Sequence, residues 1–153
     1  MFEKCVQLLA SRGVSLGDIS ECVMLLQAKH HPEITLEQVN ETVVSVLKKR
    51  EVQHAIITGI HIDMMADQRG FPDEDFNDIL LSDASLYGLD EVMAYGICNL
   101  YGSIALTNFG YIDKSKPCVI GRLNSDKSQC NTFLDDIVGA IAASAASRIA
   151  HNA

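Results

Sequence analysis

The sequence predicts an all-α protein: a compact multi-helix bundle whose small-residue C-terminal helix is buried at or near its centre. Three observations predict this. Apolar residues recur at helical spacing along most of the chain, helix-start signatures precede several of these stripes, and no stretch sustains the period-two alternation of a half-buried strand. Three prolines and no tryptophan in 153 residues agree with helix. A chain of this length is one domain's worth, and residues 1–153 are expected to form a single all-helical domain. Such a domain buries roughly 70% of its unfolded surface, so it requires no disulfide or zinc to be stable.

The elements follow in order. Phe2, Cys5, Val6 and Leu9 form one stripe at i, i+3, i+4, i+7. Ser15 with Asp18 makes a capping box opening a second helix, with Ile19, Cys22, Val23 and Leu26 on one face, and Pro32 ends that region. Thr35 with Gln38 starts a third, with Val39, Val43, Val46 and Leu47 inward. Lys48, Lys49 and Arg50 suit its C-terminus, where cations complement the helix dipole. A fourth helix is expected from Glu51 to Asp67, stopping before Gly70 and Pro72, and a short acidic one from Asp73 to Leu81. Two more fall between Leu89 and Asp113, broken at Asn99 to Ser103. Lys114 to Asn131 reads as a polar loop with Pro117 and Gly121 as breakers, after which Thr132 with Asp135 caps a last helix to about Arg148. Small residues cover nearly every face of Ile137 to Ser147. That helix is stable only where neighbours approach it closely on several sides.

Composition excludes several partners. Twelve basic against twenty acidic residues give a net charge of −8, which argues against a nucleic acid and against an anionic lipid surface. Val92 to Ile112 carries no charge, but its glycines, asparagines and tyrosines are too polar for hydrocarbon. The stretch reads as protein core, and no transmembrane segment is expected. Charges interrupt the short apolar run of MFEKCVQLLASRG, so no secretory signal is expected. Five cysteines without a C-x-x-C spacing read as buried, reduced thiols of a cytoplasmic protein.

Chemistry concentrates at helix ends. Asp90 and Glu91 precede the uncharged run and Asp113 follows it; Asp135 and Asp136 open the small-residue helix. On one straight helix Glu91 and Asp113 would stand about 33 Å apart. A fold at Asn99 to Ser103 brings them together at the open end of a hairpin, within reach of Asp136. Carboxylates gathered at low dielectric must be protonated, paired with bases, or neutralised by divalent cations. Oxygen ligands would select Mg²⁺, Mn²⁺ or Ca²⁺. Asp63 and Asp67 share a helix face, which neighbours that of His54 and His61. Capping alone also accounts for Asp90 and Asp135, since acids at helix N-termini complement the dipole and fill open N–H groups.

Three motifs in fixed order resemble those of the phosphatidylglycerophosphatase A family, specifically its short soluble branch from Gram-positive bacteria. Asp83, six residues and Asp90-Glu91 resemble its D-x6-D-E element; Asp113 to Lys116-Pro117 its D-x-x-K-P element; Asp135-Asp136-Ile137-Val138-Gly139-Ala140 its D-D-I-V-A-G element, with the last two residues exchanged. The family's early P-G-T-x-G-S segment is missing, and its membrane spans are missing or shortened. The resemblance implies a Mg²⁺-dependent phosphatase that removes the terminal phosphate of phosphatidylglycerophosphate or a related phosphoester. It further implies Glu91, Asp113 and Asp136 as metal ligands, Asp90 and Asp135 in support, and Lys116 facing the phosphate. His61, Asp63 and Asp67 are further candidate ligands.

The resulting expectation is a metal-dependent phosphomonoesterase of phospholipid metabolism. Asp90, Lys116 and Asp135 would be catalytic, and Mg²⁺ (alternatively Mn²⁺ or Ca²⁺) would be held by Glu91, Asp113, Asp136, His61, Asp63 and Asp67. The protein is expected to be a cytoplasmic homo-oligomer with peripheral membrane contact. The alternative is a non-catalytic helical metal-binding protein acting in oligomerisation or partner binding.

Overall fold

A computed structural model describes residues 1–152. Among these the chain is all helical, with nine α-helices and no strand: α1 (Phe2–Ser11), α2 (Leu16–Gln27), α3 (Leu36–Leu47), α4 (Arg50–Asp67), α5 (Glu74–Ser82), α6 (Leu89–Asn99), α7 (Ser103–Ser115), α8 (Cys118–Ser125) and α9 (Leu134–Asn152). Locally encoded starts form as expected. Ser15 Oγ accepts the Asp18 N–H at 3.1 Å while Asp18 accepts the Ser15 N–H at 2.9 Å. Thr35 and Gln38 make the same reciprocal pair.

The last helix is the axis of the bundle. Every residue from Leu134 to Ser147 is buried, and α9 packs against α2, α3, α4, α6, α7 and α8. Its alanines bury little area themselves; their value is the close approach they permit. Gly59 of α4 lies so near α9 that a Cβ there would collide with Ile137. A Cβ on Gly139 would come within 3.2 Å of Ile112 of α7. The cysteines are free thiols, and all but Cys118 are buried. No described helix is long and apolar enough to cross a membrane.

Three local expectations are corrected. The stretch expected to be a loop contains α8, because Val119, Ile120 and Leu123 bury one face among its neighbours α2 and α9. Gly121 is no breaker there. A Cβ on it would stand 2.5 Å from the Lys116 carbonyl oxygen, so glycine lets the first turn of α8 fold against the end of α7. Thr132 does not cap α9, since its hydroxyl donates instead to the Leu80 carbonyl at 2.6 Å. Finally, the uncharged stretch Val92 to Ile112 is core on one side only. Ala94, Ile97, Cys98, Ala105, Phe109 and Ile112 are buried, whereas Val92, Tyr95, Leu106 and Tyr111 are exposed.

Candidate functional site

The α6–α7 hairpin turns at Asn99 to Ser103, so the start of α6 and the end of α7 meet at its open end. The N-terminus of α9 arrives beside them, because α9 packs along both arms. Lys116 organises what lies there. Its backbone is left-handed (φ 49°) at the C-cap of α7, turning the side chain back over the hairpin. Nζ stands 2.9 Å from Asp113 Oδ1 and 3.8 Å from Asp135 Oδ2. Burial disfavours the lysine's charge, but the Asp113 hydrogen bond and the charges of Asp135, Asp113 and Asp136 outweigh it and hold its pKa above the ordinary value.

The carboxyls around Lys116 feel one another. Burial raises the pKa of Asp135, opposed by Lys116 and reinforced by Asp83 and Asp90. The pKa of Asp136 is raised by burial first, then by Asp135 and by a hydrogen bond with Asp90. Asp90 Oδ1 also accepts the Glu91 N–H at 3.0 Å. Glu91 is raised by burial, then by Asp113 and Asp90. Asp83, left-handed at the C-cap of α5, is raised by burial and then by Asp90. Asp83, Asp90, Glu91, Asp113, Lys116, Asp135 and Asp136 thus form one electrostatic group drawn from four segments of the chain.

A polar cavity of about 260 Å³ opens beside this group, lined by Asp83, Lys127, Gln129, Asn131 and Asp135 among others. Asp135 Oδ1 is buried with no protein partner.

The other three candidates do different work. Asp63, fully buried on α4, accepts the Phe133 N–H at 3.0 and 3.2 Å and the Leu134 N–H at 2.9 Å. It therefore satisfies the open N–H groups of α9 from across the bundle, the task expected of Thr132. Burial pushes its pKa up to about 7 against these bonds. Asp67 is tied to Arg12 at 2.8 Å and accepts the Cys130 N–H at 2.6 Å, while Arg12 also donates to the Cys130 carbonyl. The two side chains fasten the loop before α9. His61 is exposed, with its Nδ1 2.7 Å from the Ile57 carbonyl of its own helix.

These placements correct the expected metal centre. Among the described residues, no three His, Cys, Asp or Glu side chains are grouped so that they could hold a metal ion. The Mg²⁺, Mn²⁺ or Ca²⁺ site expected from Glu91, Asp113, Asp136, His61, Asp63 and Asp67 is overturned. With it fall the metal-dependent phosphomonoesterase and the metal-binding scaffold. The physical reason lies in how the negative charge is already relieved. Lys116 occupies the position between Asp113 and Asp135, burial and its neighbours favour the neutral form of Asp136, and Asp63 and Asp67 are engaged by backbone N–H groups and Arg12.

Two participants escaped the site reading of the sequence. Asp83 stands in the first motif but is not among the candidates, and its charge acts on Asp135 and Glu91. Lys127, whose charge reaches Asp83, belongs to no motif.

The fold and site together define an all-helical bundle in which motif carboxyls gather around a lysine beside a polar cavity. The chain belongs to the phosphatidylglycerophosphatase A family, whose model matches residues 6–151. It is 54% identical over 147 residues to the uncharacterized protein YutG of Bacillus subtilis, covering 95% of this chain and 87% of YutG. The uncharacterized YpjQ of the same organism is 47% identical over 144 residues, covering 94% of this chain and 81% of YpjQ. Among solved structures, the low temperature requirement C protein from Listeria monocytogenes superposes with a TM-score of 0.95 at 49% identity, covering 99% of this chain and 95% of that one. A protein of unknown function from Bacillus stearothermophilus gives 0.96 at 49%, covering 100% of this chain and 95% of the other.

Proposed function

We propose that this protein hydrolyses a phosphoester bound at the open end of the α6–α7 hairpin, with Lys116 holding the phosphoryl oxygens. The observation that carries the reading is the meeting of all three family motifs around that one lysine. Lys116 would stabilise the charge spread over the phosphoryl group. Asp136, whose raised pKa favours the neutral carboxyl, serves as the general acid: it donates to a phosphate oxygen where a carboxylate would repel it, and then gives its proton to the leaving alcohol oxygen. Asp113 takes a proton from the attacking water. The water oxygen–phosphorus bond forms, the ester phosphorus–oxygen bond breaks, and the proton on Asp113 returns to Asp136 through solvent. Asp135 holds Lys116 in place.

The neighbouring cavity receives the alcohol portion of the ester. Its polar lining suits hydroxyl groups rather than an acyl chain, so a phospholipid substrate would present only its headgroup. On this reading residues 1–153 act as one domain in the cytoplasm, as a homo-oligomer, with lipid contact confined to the membrane periphery. The charge of −8 keeps nucleic acid away.

Phosphate release tests the proposal, measured on soluble phosphomonoesters and on phospholipid vesicles with wild type, Lys116→Met and Asp136→Asn. Turnover by wild type that falls at least about 100-fold in both variants supports it. Absence of wild-type turnover on every ester, or equal rates in all three proteins, overturns it.

A further inference from the structure

The end of the bundle away from Lys116 carries a second cavity. It holds about 380 Å³ and is lined by Lys49, Leu100, Tyr101, Arg148, His151 and Asn152. Three parts of the chain meet there. Lys49 is the N-cap of α4, Tyr101 lies in the α6–α7 turn, and Arg148 and His151 belong to the C-terminal end of α9. Arg148 lies twelve residues beyond Asp136 along α9, about 18 Å of helix, so this cavity is separate from the one beside Asp135.

Its charge is one-sided. Among the described residues no carboxylate lines it, and none of Lys49, Arg148 and His151 has an ion-pair partner. Elsewhere Arg12, Arg69, Lys116 and Arg122 are each matched to a carboxylate. Lys49 Nζ lies 5.7 Å from the centroid of the Tyr101 ring. Burial raises the pKa of Tyr101, Arg148 opposes the rise and Glu51 adds to it, so these two charges also act on the tyrosine. Glu51 stands outside the lining. Helix ends explain only part of the arrangement. Cations at the C-terminal end of α9 complement its dipole, but Lys49 sits at the positive N-terminal end of α4, which has no side-chain cap.

In a chain of net charge −8, a cavity with two positive charges and no carboxylate in its wall draws an anion. The donors define that anion. Arg148 offers a planar fork, Lys49 a compact ammonium and His151 a ring nitrogen. Three separate donors suit a tetrahedral group with several oxygens better than a planar carboxylate.

We propose that Lys49, Arg148 and His151 form a binding site for a phosphate group, carried by a soluble phosphate compound or by an anionic lipid headgroup. The site is independent of the phosphoester reading, because it shares no residue with the group around Lys116.

Nuclear magnetic resonance on the nitrogen-15-labelled full chain tests it, by titration with inorganic phosphate to about 10 mM at an ionic strength held constant with chloride. That range detects millimolar affinity. The amides of Lys49, Arg50, Arg148 and His151 are expected to move on one saturating curve, in wild type and in Lys116→Met alike. Lys49→Gln with Arg148→Gln is expected to weaken the dissociation constant at least tenfold with unchanged circular dichroism. Glu51→Gln removes a nearby negative charge and is expected to tighten it about threefold. Co-sedimentation with phosphatidylcholine vesicles containing phosphatidylglycerol separates the two sources. Capture that inorganic phosphate competes away assigns the site to a lipid headgroup, whereas phosphate binding without capture assigns it to a soluble ligand. Absence of shifts at these amides, equal shifts with chloride alone, or an unchanged dissociation constant in the double variant overturns the proposal.

Discussion

The Asp63 carboxylate accepts the backbone N–H of Leu134 at 2.9 Å, joining α4 to the first turn of the central helix. The same side chain takes the N–H of Phe133, so one residue satisfies two open donors of a buried helix end. Asp63→Ala leaves both donors buried without an acceptor, and is expected to lower unfolding stability by about 3 kcal/mol in urea titrations. Asp63→Asn keeps an acceptor oxygen and should cost less than half of that. Equal losses in the two variants would show that the capping bonds are not what Asp63 contributes.

Lys116 Nζ stands between Asp113 and Asp135, 2.9 Å from the first and 3.8 Å from the second. Lys116→Arg keeps the charge but cannot place a compact ammonium between the two carboxyls. It is expected to retain the fold and to lose roughly 10-fold in phosphoester turnover, against about 100-fold for Lys116→Met. Steady-state kinetics on one ester distinguishes the two, and a fully active Lys116→Met removes the lysine from the chemistry.

Stability should rise on acidification. Asp63, Asp135 and Asp136 all have pKa values raised in the folded chain, chiefly by burial, so the folded state binds more protons than the unfolded one. Their contribution is complete below about pH 4 and is lost as pH rises, for Asp63 through about 7. Shifts of this size correspond to roughly 4 kcal/mol for one fully buried group. Urea midpoints are expected to fall between about pH 5 and pH 8 with unchanged slope, and Asp136→Asn should flatten the dependence. A midpoint that rises over this range contradicts the burial of protonated carboxyls.

Gly121 positions the lysine turn through its missing side chain. In Gly121→Ala the new methyl would meet the Lys116 carbonyl at 2.5 Å, a backbone atom that cannot swing away. The expected cost is about 1–3 kcal/mol, with Lys116 displaced from Asp113 and turnover reduced. Chemical denaturation combined with the phosphate-release assay checks this; an unchanged midpoint would show that α8 shifts freely.

How far the chain could be read in advance follows the range of the interactions. The capping boxes at Ser15 and Thr35 depend on residues three apart, and both form. The hairpin break at Asn99 to Ser103 was visible because glycine and polar residues interrupt an otherwise continuous apolar pattern. Thr132 carried the same local signature with Asp135, yet the tertiary contact with Leu80 took its hydroxyl and Asp63 took its place. The helix from Cys118 to Ser125 was hidden because its buried face is short and a glycine sits in its middle, for a reason that exists only once Lys116 lies against it. The acidic motifs marked which residues to examine around the candidate site. They did not separate Asp136, which joins the group around Lys116, from Asp63 and Asp67, which support the fold.

The sequence by itself determined the helical class, the central place of the small-residue helix and the family, because periodicity, small side chains and motif order are written along the chain. Only the tertiary structure decided how the gathered negative charge is relieved: by Lys116, by the burial that favours a neutral Asp136, and by backbone N–H groups and Arg12 at Asp63 and Asp67. The reason is physical. Helix formation is governed by neighbours within four residues, whereas the state of a carboxyl depends on its burial and on polar and charged groups a few ångströms away, and those come from remote segments, as Leu134 lies 71 residues from Asp63.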